Sequence, residues 1–301
     1  MDINFEYYKI FYYVAKYENL TRAATALGRN QPNVTRIMKL LESQLGCRLF
    51  IREARGISLT EKGKLLYSHV EIAYKHLLNA QEEISGQNSL NGGTVEMGAT
   101  ESALHLFLLD ALHDFRLKFP EIKIKIHNHS TPETIRYLIS GKLDFAVITT
   151  PFQLPETTLC GKIMDYDEIL VGGTQYRELQ EAILELKHIK QYPLIGLGRE
   201  SATYQIYKDF FIRQGVDYEL DMEVATSDLM LPLIEHNFGI GFVPKNLAFP
   251  LLEKKKLVQI PLNCQLPKRS IEIVSDNKRG KSLAADTLYK YLKRRKNHHK
   301  D

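Results

Sequence analysis

Gln31, Asn33, Thr35, Arg36 and Lys39 lie within nine consecutive positions. Their shared chemistry is directional hydrogen bonding combined with positive charge. An arginine fork fits the exposed edge of guanine, and a Gln or Asn amide fits that of adenine, each through paired bonds. Lysine and arginine also neutralise phosphate. The stretch sits in a wider basic block. Residues 21–55 carry Arg22, Arg29, Arg36, Lys39, Arg48, Arg52 and Arg55 against Glu42 and Glu53, a net +5, whereas the whole chain carries +4. The remainder is close to neutral and slightly acidic. Positive charge concentrated in one block marks a phosphate-bearing partner. A solvated basic face is the plainer reading, but a core helix seldom gathers Gln, Asn, Thr and Arg at its N-terminal end.

Two short helices must position these side chains. Thr21 reads as the N-cap of the first, followed at helical spacing by Ala23, Ala24 and Leu27, with Gly28 as the stop. Asn30 caps the second, and Pro32 falls in its first turn, where a missing N–H costs nothing. Val34, Ile37, Leu41 and Leu45 form its inward stripe. Two helices joined by a short glycine-marked turn make a helix-turn-helix, whose second helix enters the major groove. Gln31, Asn33, Thr35 and Arg36 are then expected in the groove, and Arg22, Lys39, Arg52 and Arg55 on phosphates. Leu49–Ile51 and Ile57–Leu59 flank a basic turn and predict a small β-hairpin, a wing. Upstream, Tyr7, Ile10, Phe11 and Val14 predict an amphipathic supporting helix.

The motif carried by Ala23-Ala24, Leu27, Gln31-Pro32, Val34-Thr35-Arg36, Leu41-Glu42, Leu45-Gly46, Leu49-Phe50, Arg52, Leu59-Thr60 and Gly63 resembles that of LysR-type transcriptional regulators. The match is dense over residues 5–65 and looser beyond. Asn30 departs from the family's usual serine, but it caps a helix equally well. The resemblance implies a homodimer or homotetramer on double-stranded promoter DNA. It also implies RNA polymerase as a partner, a small-molecule effector, no cofactor and no catalysis.

Thr60 is expected to cap a long helix reaching about Ser85. Its Leu66, Val70, Ala73, Leu77, Ala80 and Ile84 alternate at spacings of four and three, a heptad seam. One amphipathic helix lying on its own domain is the alternative. The dimer reading gains weight because a two-fold protein places two recognition helices about one DNA turn apart, and the family resemblance adds to it. Residues 86–93 read as a hinge. The domains are thus a winged helix-turn-helix over 1–60, a linker helix and hinge over 61–91, and a body over 92–301.

From Thr94 the pattern alternates strand and helix, predicting an α/β body with mostly parallel sheets. Strands are expected at 95–99, 122–126, 145–148, 168–171, 194–196, 219–225, 240–243, 257–261 and 270–274. Helices are expected at 104–117, 132–140, 178–186, 204–214, 229–235 and 284–294. The body resembles the LysR effector domain, itself similar to periplasmic binding proteins. That resemblance implies lobe one over 92–161 plus 266–295 and lobe two over 162–265. Ligands of open α/β sheets sit beyond strand carboxyl ends, against helix N-termini. This rule selects Thr100, Glu101, Ser102, Thr131, Thr149, Arg199, Ser201, Thr203, Ser227 and Phe242. Helix capping is the simplest account of the hydroxyls; the resemblance adds effector contact at Thr100, Ser102, Thr149 and Thr203. Glu101 puts a negative charge where a family effector often presents a carboxylate. Either the effector is not a simple carboxylate, or Glu101 points away and Arg199 compensates.

Other signals carry little chemistry. Gly196, Gly198 and Ser201 graze a dinucleotide fingerprint but lack its third glycine. His127 and His129 have no third and fourth ligands in sequence, nor have His298 and His299. No serine-nucleophile elbow is present. Three cysteines give neither zinc spacing nor a disulfide framework, though Cys160 and Cys264 by family resemblance flank the lobe crossings, where a redox pair could form. The basic tail 290–300 reads as a solvated helix end, with auxiliary DNA contact as the lesser reading. At 44% hydrophobic residues, with no long apolar run and no signal peptide, the chain is expected to be cytoplasmic and free of membrane. An enzyme or solute-binding module, or a ligand-free architectural DNA binder, are the alternatives.

Overall fold

The computed structural model describes residues 3–53, 56–84, 92–277 and 280–295. The chain divides into two compact units, Met1–Asn88 and Ser89–Asp301.

The first unit consists of α1 (Phe5–Tyr17), α2 (Leu20–Ala26), α3 (Gln31–Leu45), the strands β1 (Phe50–Glu53) and β2 (Gly56–Leu59), and α4 (Glu61–Ile84). Ile10, Phe11 and Val14 of α1, Ala23 and Ala24 of α2, and Val34, Ile37 and Leu41 of α3 share one buried core. The larger of these side chains each contribute about 1.5–3 kcal/mol by burial. The cap of α2 differs from expectation. Asn19, in extended backbone, accepts the Thr21 and Arg22 amides on Oδ1 at 2.9 and 3.0 Å, so Thr21 lies inside the helix. One carboxamide oxygen thereby satisfies two orphan donors, which the Thr21 hydroxyl does not. Gly28 turns the chain at φ +63°. Asn30 caps α3 as expected, accepting the Asn33 amide at 2.9 Å.

β1 and β2 pair antiparallel, with Phe50 opposite Leu59. Glu42 ties this wing to α3: its Oε1 accepts the Leu49 and Phe50 amides at 2.7 and 3.2 Å. Thr60 caps α4 by accepting the Gly63 amide at 2.9 Å. A Cβ on Gly63 would stand 2.1 Å from the Leu49 carbonyl oxygen, so only glycine fits there. Glu42, Thr60 and Gly63 are therefore joints of the head. The seam of α4 is split. Leu66 and Val70 pack into the head's own core beside Tyr67 and Tyr74, whereas Ala73, Leu77 and Ala80 are exposed. Most of the expected hinge, residues 86–91, lies outside the described residues.

The second unit holds two five-stranded sheets. Lobe one opens with β3 (Thr94–Ala99) and α5 (Glu101–Ala103), which continues through a π-helical turn into α6 (Leu109–Lys118). β4 (Lys123–Asn128), α7 (Thr131–Ile139), β5 (Phe145–Thr149) and β6 (Thr158–Tyr166) follow. Lobe two comprises β7 (Glu168–Gly173), β8 (Leu194–Leu197), α8 (Ala202–Arg213), β9 (Met222–Val224), α9 (Met230–Glu235), β10 (Ile240–Pro244), α10 (Lys245–Glu253) and β11 (Leu257–Gln259). β12 (Arg269–Asp276) returns to lobe one, and α11 (Leu283–Arg295) packs into its core.

The strand orders are β4-β3-β5-β12-β6 and β11-β7-β10-β8-β9. Both sheets are mixed rather than mostly parallel: β12 runs antiparallel to β5 and β6, and β7 antiparallel to β10 and β11. The chain passes from β6 in lobe one to β7 in lobe two through Asp167 alone. β6, which the sequence pattern does not announce, also corrects the lobe boundary. Lobe one runs to Tyr166 and not to 161, and β12 begins its return at Arg269. The helix expected near 178–186 is replaced by 3₁₀ turns at Thr174–Gln180 and Leu186–Gln191, because Leu184 between them bridges to Leu262.

Candidate nucleic-acid interface and ligand cleft

In the first unit, Gln31, Thr35, Arg36 and Lys39 line one shallow hollow on the outer side of α3, together with Pro32. Arg36 and Lys39 are exposed there, and Arg22 is exposed on α2. Burial of Val34, Ile37 and Leu41 on the opposite side fixes this orientation. Asn33 stands apart from the hollow: its Oδ1 is buried and has no hydrogen-bond partner among the described residues. The Arg52 side chain and Arg55 lie outside the described residues. The hollow thus presents three hydrogen-bonding side chains and an ammonium on one exposed helix face, suited to base edges flanked by phosphates.

In the second unit, a cleft of about 830 Å³ lies at the carboxyl ends of β3, β5 and β8. Thr100, Glu101, Ser102, Thr131, Thr149, Arg199, Ser201, Thr203 and Ser227 all line it. Phe242 does not. It is buried in lobe two, stacked on Tyr207 at 4.4 Å, and faces a small inner chamber of about 40 Å³. That is room for about one water.

Capping accounts for fewer of these hydroxyls than expected. Ser201 caps α8 by accepting the Tyr204 amide at 3.0 Å, but Thr100 and Ser130 make no side-chain cap bond. Thr131 Oγ1 donates to the Thr149 carbonyl at 3.4 Å. Thr149 and Thr203 meet a residue that sequence reasoning missed, Arg269. Its Nη2 donates to Thr149 Oγ1 at 3.3 Å, and its Nη1 to Thr203 Oγ1 and Glu168 Oε1, both at 3.1 Å. Nε donates to the Thr150 carbonyl at 2.9 Å. Thr149 and Thr150 belong to lobe one, Glu168 and Thr203 to lobe two. The Arg269–Glu168 pair is therefore a buried clasp between the lobes, with both side chains under 5% exposed (3% and 4%). Tyr207 completes it, donating to Glu168 Oε2 at 2.5 Å. The available signal was an arginine at the start of a strand in which Ile271 and Ile273 alternate with Ser270 and Glu272.

Burial of Tyr166, Tyr207 and Tyr218 holds their phenol protons to higher pH than an ordinary tyrosine, and the Glu168 charge adds to it. A folded pKa above the unfolded value, 10.0, contributes stability that is complete below pH 10 and is lost as pH rises beyond it. The body is expected to unfold at progressively lower urea above pH 10. An ultraviolet titration should show a slow phenolate phase that denaturant abolishes. Instant, reversible ionisation of all 16 tyrosines near pH 10 would contradict this.

Cys160 and Cys264 are free thiols. Cys160 Sγ donates to Glu272 Oε2 at 2.6 Å, and burial together with that carboxylate pushes the thiol up to about 12. Burial also raises Cys264. Thiolate is the reactive form, so neither cysteine is primed for redox exchange. Alkylation of Cys160 by iodoacetamide at pH 8 is expected to run roughly a hundredfold or more below that of a free cysteine, as read by mass spectrometry. A rate equal to that of glutathione would overturn the assignment.

Glu101 does not pair with Arg199. Its carboxylate accepts from Asn128 Nδ2 and contacts His105 Nε2 at 2.8 Å, while Arg199 lies 3.6 Å from Glu223 and is largely exposed. Among the described residues no group of His, Cys, Asp and Glu could hold a metal ion, and no helix is long and apolar enough to cross a membrane.

Two family profiles cover most of the chain. "Bacterial regulatory helix-turn-helix protein, lysR family" matches residues 5–64, and "LysR substrate binding domain" matches residues 88–297. The chain belongs to the LysR family of transcriptional regulators. That family comprises regulators, not enzymes. Similar LysR-family proteins include a probable RuBisCO transcriptional regulator of Trichormus variabilis, 26% identical over 89% of this chain and 81% of its own length. The regulator AlsR of Bacillus subtilis is 24% identical over 84% of this chain and 86% of its own length. The LysR fold is shared with full-length OxyR from Pseudomonas aeruginosa at TM-score 0.68 and 16% identity, covering 99% of this chain and 95% of that one. CbnR, solved with its target DNA, gives 0.56 at 18% identity, covering 98% and 100%.

Proposed function

We propose that this LysR-family chain binds double-stranded promoter DNA sequence-specifically and that a small molecule in the cleft controls that binding. The observation that carries the reading is the exposed face of α3, where Gln31, Thr35 and Arg36 meet Lys39 around one hollow. Arg36 and Gln31 read base edges. Lys39 and Arg22, with Arg52 and Arg55 of the wing, hold phosphates. Asn33, half-buried beside that face, is the remaining groove residue of α3. In the body, Thr100, Glu101, Ser102, Thr131 and Ser227 are the effector-facing residues, while Thr149 and Thr203 act through Arg269. The chain works in the cytoplasm as a homodimer or dimer of dimers and acts on RNA polymerase. A groove between α1 and α4, lined by Phe5, Tyr8, Leu66 and Ala73, supports self-association, as does the exposure of Leu65 and Leu77 on α4. For control, the effector must bind one state better than the other, by ~1–3 kcal/mol of coupling.

The test is an electrophoretic shift on the duplex upstream of the chain's own gene, against a scrambled duplex of equal composition, across a salt series. Preference for the upstream duplex and a steep loss with salt are expected. Equal binding to both duplexes at every salt would leave only an architectural binder, and no binding to either would contradict the reading.

A further inference from the structure

The cleft is acidic. Its lining carries Glu101, Glu133, Glu200, Glu223 and Asp228 against Arg199 and His129. Arg269, buried nearby, is neutralised by Glu168 within the clasp. Helix N-termini face the cleft and would by themselves favour an anion. The chain's own carboxylates answer them: Glu101 is the first residue of α5, Glu133 lies in the first turn of α7, and Asp228 lies in the turn before α9. An incoming anion would therefore meet net negative charge.

A second observation lies on the lobe-one wall. Thr100 is 7% exposed, and its Oγ1 is buried with no hydrogen-bond partner among the described residues. Its backbone is already engaged, the amide with the Val147 carbonyl at 3.2 Å and the carbonyl with the Leu104 amide at 2.9 Å. The hydroxyl has no partner among the described residues, and a buried polar group left unpaired is costly. The carboxylates do not cluster as metal ligands among the described residues, and the cleft has the volume of a small-molecule site.

We propose that the effector is a small organic cation, an amine or guanidinium compound, whose charge lies among Glu101, Glu223 and Asp228 and whose polar group meets the Thr100 hydroxyl. This rests on the reading of the cleft as an effector site. Each carboxylate supplies a charge-assisted acceptor, and Arg199 opposes binding.

The test is thermal shift followed by calorimetry on the full-length protein. The cationic probes are agmatine, putrescine, arginine and spermidine; the anionic probes are succinate, citrate and 2-oxoglutarate. At least one cation is expected to bind saturably. D228N and E223Q, both at exposed positions, should each weaken it about tenfold, and T100V should weaken it similarly. Arg199→Ala should tighten it. Saturable binding of an anion with none of a cation would overturn the charge assignment while leaving the effector site standing. Cation binding that D228N, E223Q and T100V all leave unchanged would place the ligand elsewhere. Silence from both probe sets counts against the cleft as an effector site, and against this proposal with it.

Discussion

Replacing Arg269 by methionine while Glu168 remains is expected to destabilise the body by about 3–5 kcal/mol. The substitution leaves a carboxylate that is 4% exposed with no counter-charge, and it removes donors from Thr149, Thr150 and Thr203 together. Leaving a buried charge unpaired costs far more than the intact pair contributes. The double variant Arg269→Met/Glu168→Gln should therefore recover more than half of the loss. The comparison is made on the body's urea transition, followed by amide exchange in β5, β7 and β12, because two units need not unfold as one. A single variant that costs less than about 1 kcal/mol would mean that water reaches the clasp. A double variant as unstable as the single would mean that its hydrogen bonds, rather than its charges, hold the lobes.

The second large effect is on binding. Arg36→Ala is expected to weaken operator binding by about 1–3 kcal/mol and to relax the preference at one base position. Arg36 is exposed on the outer side of α3, and the side chains that pack α3 into the head do not include it. The loss should come without any change in the head's melting temperature. If Arg36 only touches phosphate, the loss will be equal on every duplex and the salt dependence will be shallower by about one unit. Lys39→Ala is the control that should show that phosphate pattern.

The head was legible because its signals are local. Asn30, Pro32 and the stripe through Val34, Ile37 and Leu41 lie within one helix, and their spacing alone orients it. The error at Thr21 is of the same local kind: two polar residues compete for one cap, and Asn19 prevails because its longer side chain reaches two amides. The body's misreadings come from distance. β6 alternates poorly, with a register shift against β12 between Ile271 and Glu272, and its partners lie over a hundred residues downstream. α10 carries Pro250 inside it, a residue that argues against a helix in any local reading. The strand-end rule located Thr100, Thr131 and Ser227 because βα loops are local too. The pairing of Arg269 with Glu168 was invisible for the opposite reason, since only the return of β12 brings them within 3.1 Å. Phe242 lies in the middle of β10, two residues short of its end, and its side chain turns into the core against Tyr207.

The most direct test of DNA recognition is selection of duplexes from a random pool by the full-length protein and by Arg36→Ala, at one fixed salt concentration. Wild type is expected to enrich an interrupted inverted repeat whose half-sites lie about one helical turn apart or a multiple of it. The variant should bind the pool while losing one base preference in each half-site. An unenriched wild-type pool would contradict sequence-specific recognition by α3, whatever the basic block does with phosphate.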